Sequence, residues 1–124
     1  MTTESRPVQR VWYLSGPMSG YENYNYPMFE RCKKDLERMG YKMESPHECE
    51  PEPEGTPEDK LWDNMMIKCM DKMKACNGII LLRGWPESRG ARRELDYAIQ
   101  QGWPVLFYND IIGMVSQMSR YKNE

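Results

Sequence analysis

Histidine is almost missing from this chain: His47 is the single one. The four cysteines, Cys32, Cys49, Cys69 and Cys76, show no C-x-x-C spacing and no histidine pattern that would complete a zinc site. A basic excess is missing as well. Seventeen Lys and Arg face nineteen Asp and Glu, for a formal net charge of −2. That balance argues against a nucleic-acid surface, which needs clustered positive charge. No apolar run reaches the length of a membrane span, and the opening MTTESRPVQR is too polar for a secretory signal. These absences point to a cytoplasmic protein with reduced thiols, and with neither membrane nor nucleic acid as partner. Phosphate loops of the familiar kinds are also lacking. SGPMSG, Ser15–Gly20, has no GK[ST] ending and no G-x-G-x-x-G spacing.

What is there suits a packed chain of one domain, since 40% of the 124 residues are hydrophobic. Residues 1–10 read as a mobile polar lead-in, and 11–124 as the domain. VWYL, Val11–Leu14, is β-prone and runs into the Gly/Pro turn SGPMSG. Met28, Cys32, Leu36 and Met39 make one stripe of a helix from Pro27 to Met39, stopped by Gly40. Tyr41–Glu44 is a weak strand. Glu44–Asp59 then carries seven acidic residues and four prolines without one Lys or Arg, which predicts a long acidic loop. Thr56 as N-cap with Pro57 behind it opens a methionine-rich helix to about Ala75. GIILL, Gly78–Leu82, reads as a strand buried on both faces. RGWPES is a loop, Arg89–Gln101 a helix, Pro104–Tyr108 a strand and Ile111–Tyr121 a last helix. This alternation predicts an α/β fold of the flavodoxin/Rossmann-like kind: an open parallel sheet of four to five strands with helices on both faces. Ligands in such sheets sit at the carboxyl ends of the strands, where the three unusual loops converge.

Within that convergence the charged stretch ESRGARRELDYA, Glu87–Ala98, raises a choice. Ser88 is placed to cap a helix, and Gly90 and Ala91 are small enough for a ligand to approach the backbone. Free N–H groups there favour an anion. Glu94 is either a surface carboxylate paired with Arg89 or Arg93, or a reacting group. Tyr13 reads as core whose hydroxyl could reach the site. Trp85 is a stacking candidate, and Arg89 is a candidate phosphate ligand. His47, alone in the acidic loop, reads as solvated, and Cys69 as a small buried side chain.

YLSGPMSG, then NYPMF (Asn25–Phe29), then IILLRGWPESRGARRELDYA and the closing PVLFY together resemble the nucleoside 2-deoxyribosyltransferase superfamily. The likeness runs from about Val11 to Met118 and is strongest to a small bacterial and phage branch of domains of unknown function, related to deoxynucleoside 5′-monophosphate N-hydrolases. It implies a flavodoxin-like fold, cleavage or transfer at the N-glycosidic bond of a nucleoside or its 5′-monophosphate, and no metal or cofactor. It places the nucleophile on Glu94, with Tyr13 beside it. Ser15, Gly16, Pro17, Met18, Asn25 and Trp85 fall on the substrate-lining segments, and Ser88, Arg89 and Gly90 on the segment that holds the 5′ end. It further implies a homodimer or larger assembly in which Ser116 and Met118 reach a neighbouring subunit's site. One departure stands out: the pattern D-L-x-x-L-x-x-x-D has Cys69 in its first aspartate position and Asn77 in its second. The carboxylate that would assist the leaving base is therefore missing there, which leaves Glu44, Glu48 and Glu87 as alternative donors. A binding module without chemistry, or an interaction protein using the acidic loop, are the competing readings.

Overall fold

The computed structural model describes residues 9–123, with side chains through residue 118. The expected lead-in lies largely outside the described residues, and where it is described it is tied down. The Arg10 guanidinium donates to the Asn77 carbonyl at 2.5 Å, and the Asn77 amide reaches the Gln9 carbonyl at 3.4 Å.

Strands β1 (Val11–Ser15), β2 (Lys42–Glu44), β3 (Gly78–Leu81) and β4 (Val105–Phe107) form one parallel sheet in the order β2-β1-β3-β4. Helices α1 (Tyr26–Arg38), α2 (Glu58–Met73) and α3 (Arg89–Gln100) join them, and α4 (Tyr108–Asn123) follows β4. This is the α/β, flavodoxin/Rossmann-like architecture expected, with four strands among the described residues. Alternation along the strands splits the core in two. Tyr13, Ile79 and Leu81 point to the side packed by Cys69 and Met73 of α2 and Ala98 of α3. Leu14, Ile80 and Leu82 point to the side packed by Phe29, Cys32 and Leu36 of α1, with Ile111 of α4. Each of these fully buried aliphatic or aromatic side chains contributes about 1.5–3 kcal/mol. β3 is buried at every position, as its unbroken apolar run predicted. Gly78 opens it because nothing larger fits: a Cβ there would stand 2.6 Å from the Trp12 ring.

Three boundaries differ from expectation. Thr56 does not cap α2; its hydroxyl donates to the Pro53 carbonyl at 2.6 Å, and the helix begins after Pro57, whose backbone is extended. The loop RGWPES contains a short 3-10 turn, Trp85–Glu87. α4 begins at Tyr108 rather than Ile111, directly from the strand. Asp110 lies in its first turn, where the helix dipole favours it, and the Tyr108 hydroxyl donates to Asp35 of α1 at 3.1 Å.

A candidate active site around Glu94

Buried positions on α3 are Ala91, Glu94 and Ala98, spaced three and four apart. Glu94 thus lies on the apolar stripe and faces the sheet. It is 5% exposed. Among the described residues no arginine pairs with it: Arg89 stacks its guanidinium on Trp62, 3.8 Å from the ring centroid, with Arg93 5.8 Å from the same ring. The surface-pair reading of Glu94 is therefore wrong.

Its partners come from the carboxyl end of β1. The Tyr13 hydroxyl donates to Oε2 at 2.9 Å, and the Ser15 hydroxyl to Oε1 at 2.6 Å. Both donors are fully buried. Residues two apart on a strand share a face, so β1 presents both hydroxyls to one carboxylate. Cys69, on α2, packs in the same buried cluster as Tyr13. Burial raises the Glu94 carboxyl from its ordinary 4.5 to about 7, against the opposing pull of Ser15, Tyr13 and Cys69. Burial and the neighbouring Glu94 charge push the Tyr13 hydroxyl well up, so it remains a donor. In Tyr13→Phe the carboxyl loses a donor to its charged form and should titrate higher by about one pH unit. Carbon NMR of a labelled Glu94 side chain reads this directly, and an unmoved titration would remove Tyr13 from any positioning role.

Of the other expected residues, Gly16 and Pro17 are buried; a Cβ on Gly16 would stand 2.8 Å from that of Leu82, and Pro17 lies against Gly84. Met18 is half-buried against the core that contains Leu82. Asn25 gives its amide to the Pro17 carbonyl at 2.9 Å. It closes a run, Asn23 to Asn25, in which three non-glycine residues have positive φ. Such a run is strained, and it is held over the turn after β1. Ser88 caps α3, its Oγ accepting from the Ala91 N–H at 3.1 Å. The space beside Gly90 is filled rather than open: a Cβ would meet the Met66 sulfur at 3.2 Å. Ala91 is also buried, so these small residues let α2 pack on α3, while Gly90 itself stays half-buried. Trp85 packs on Phe107, with ring centroids 6.2 Å apart. Ser116 and Met118 are exposed on α4.

The acidic loop is partly neutralised. Glu44 pairs with Lys72 at 3.0 Å, Glu48 with Lys33 and Glu52 with Lys68, while Asn64 donates to Glu52 at 2.7 Å. Lysines of α1 and α2 thus pair three of its seven acidic residues, while Glu50, Glu54, Glu58 and Asp59 are exposed. Glu44 and Glu48 are likewise engaged, and Glu87 is exposed. His47 is not solvated as expected. Its Nδ1 lies 2.6 Å from the hydroxyl of the buried Ser45, its ring stands against Tyr26, and burial lowers its pKa. Asn77 accepts from the Val11 N–H at 2.7 Å, at the end of β1 remote from Glu94. Its identity therefore bears on the strand's anchoring and not on the site.

Among the described residues no group of three His, Cys, Asp or Glu side chains gathers to hold a metal, and no helix is long and apolar enough to cross a membrane. A groove of about 620 Å³ runs along the outer side of α2, past Trp62, Met66, Ile67 and Met70, and Glu94 is not part of its wall.

Residues 10–107 match a family described as Domain of unknown function (DUF4406). The chain belongs to that family. No curated protein matches it. The DUF4406 match ends at Phe107, so it takes in the whole sheet, Tyr13, Ser15 and Glu94, and leaves α4 with Ser116 and Met118 beyond it.

Proposed function

We propose that this protein cleaves or transfers the N-glycosidic bond of a deoxynucleoside or its 5′-monophosphate, with Glu94 as nucleophile. The observation that carries this reading is one buried carboxylate held at both oxygens by hydroxyls from β1, at the carboxyl end of a parallel sheet. A carboxylate has about four acceptor positions, so two such bonds orient it and leave lone pairs for attack. In the first step a Glu94 oxygen bonds to C1′ as the C1′–N bond breaks, and the base departs with the electron pair and takes up a proton. In the second, water or another base attacks C1′ and restores the carboxylate. Tyr13 and Ser15 hold Glu94 through both steps. The start of α3 offers its free N–H groups to the 5′ end of the substrate, beside Ser88 and Arg89. We place the enzyme in the cytosol as a homodimer or larger assembly, with Ser116 and Met118 of one copy meeting the site of another.

Incubation with a panel of nucleosides and their monophosphates, followed by chromatography for free base, tests the reading. Release that depends on Glu94 supports it, and no release from any member sinks it. The second reading, a nucleotide-binding module of the same fold, is favoured by one observation: Cys69, in the cluster that packs Tyr13, is a thiol where a second carboxylate would assist the leaving base. Calorimetric binding of a monophosphate without base release selects that alternative.

A further inference from the structure

Ser15, Ser45 and Glu94 are the polar side chains buried among the described residues. Ser15 and Glu94 hold each other. Ser45 is left over, and what holds it is the chain's single histidine. Ser45 follows β2 directly and opens the 3-10 turn Pro46–Glu48. Its Oγ lies 2.6 Å from His47 Nδ1, with no other partner among the described residues. A buried hydroxyl needs an acceptor, so Ser45 donates to Nδ1 and the ring carries its proton on Nε2. Two amides close the rest of the turn. The Glu48 N–H donates to the Ser45 carbonyl at 3.2 Å, and the Cys49 N–H to the Pro46 carbonyl at 3.1 Å.

Helices α1 and α2 pack against this turn. From α1 come the Tyr26 ring, edge-on to His47 with centroids 6.4 Å apart, and the charges of Lys33 and Glu30. Lys72 comes from α2, and the turn itself adds Glu48. These charges are already paired: Lys33 with Glu48, Glu30 with Lys34 and Lys72 with Glu44. Neither carboxylate beside the ring is free to receive an imidazolium, and burial holds the His47 pKa below its ordinary value.

We propose that the Ser45–His47 pair is an acid-released latch on the turn after β2, shut while the imidazole is neutral and open once it takes a proton. A protonated Nδ1 is a donor and cannot accept from Ser45. The hydroxyl can reverse only by leaving its own proton without an acceptor in a buried place. His47 is half-buried, so the charged ring swings into water instead. Above the ordinary histidine pKa of about 6.5 the ring is neutral whether the turn is closed or open, and the latch has its full strength. Below it the open turn binds the proton first, so closure weakens as pH falls. The opening stops at Glu50, because Lys68 of α2 holds its carbonyl at 2.7 Å and Asn64 of α2 holds Glu52 at 2.7 Å. The latch borders the candidate site: Glu44, just before Ser45, is the register partner of Tyr13 on β1.

The experiment needs no turnover, so its failure leaves the reading of Glu94 untouched. One histidine gives one ring signal. Nitrogen and carbon NMR of the labelled, untagged full chain follows that ring from pH 8 to pH 5, while hydrogen exchange reads each amide as a protection factor. A proton on Nε2 at pH 8 and a midpoint below about 6.5 are expected. Protection of Glu48 and Cys49 should fall at least about threefold by pH 5, with the amides of α2 unmoved. In Ser45→Ala the midpoint should rise, and both amides should be open at either pH. His47→Asn keeps an acceptor where Nδ1 stands and does not titrate, so its protection should not change with pH. A proton on Nδ1 at pH 8, a midpoint at or above about 6.5, or steady protection in the native chain would overturn the proposal. So would a step that persists in His47→Asn, for it would belong to Glu94 or Cys49, which titrate in the same range.

Discussion

Glu94→Gln is expected to lower kcat/KM for base release by at least about a thousandfold, near 4 kcal/mol of transition-state stabilisation. The substitution is informative because it changes so little else. Glutamine has the volume of glutamate, and its carbonyl can accept from the Tyr13 hydroxyl as Oε2 does now. The Ser15 hydroxyl, a donor to Oε1 in the native chain, can rotate to accept from the amide N–H. Packing around Ala91 and Ala98 is untouched, so a lost rate cannot be ascribed to a lost fold. What disappears is the negative oxygen that bonds to C1′. A group that merely shaped the site would show a different pattern: KM would rise while kcat held. Single-turnover chromatography separates the two. Turnover in Glu94→Gln within tenfold of the native chain would remove Glu94 as nucleophile.

The fold was largely legible because its signals are local. The apolar run Gly78–Leu82 and the alternation of helix with strand carry their own periodicity, whereas the α1 stripe held only at Cys32 and Leu36: Met28 and Met39 are exposed and Phe29 is buried instead. Glu94 was only half legible. The sequence left it between a surface pair and a reacting group; the buried positions Ala91 and Ala98 put it on the inner face of α3. The arginines just before it suggested surface pairing instead, and periodicity alone does not say that Trp62, far earlier in the chain, takes Arg89 and Arg93. The partners were harder still. That Ser15 binds Glu94 and not only a ligand depends on the register of β1 against β3 and on how α3 crosses them. Gly90 was half legible for the same reason: small residues mark close approach, but the sequence does not name what approaches, and on its Cβ side that is Met66. The surroundings of His47 and of Glu44, Glu48 and Glu52 were hidden because their partners, Tyr26 and three lysines, sit on the helices before and after the loop.

Stability and activity should run in opposite directions with pH, and Glu94 is the cause. Its carboxyl titrates near 4.5 in an unfolded chain and at about 7 in the folded one, where burial opposes the charge. Below 4.5 the group is protonated in both states, and its contribution to stability is fully present. Between 4.5 and 7 the folded state holds a proton that the unfolded state has released, so stability falls as pH rises. Above 7 both states are ionised and the contribution is gone. A shift of this size is worth on the order of 3 kcal/mol. Glu94→Gln removes the titration, so its urea stability relative to the native chain should rise by about that amount between pH 4 and pH 8. Parallel curves for the two proteins over that range would mean that the carboxylate is not desolvated. Base release should follow the reverse course, climbing with the ionised fraction and levelling above pH 7, because only the carboxylate attacks. The ionised state that reacts is thus the one the fold tolerates least. Tyr13 and Ser15 offset that cost without cancelling it, which leaves a carboxylate poised near neutrality, where part of the population is charged and its oxygens are still held in place.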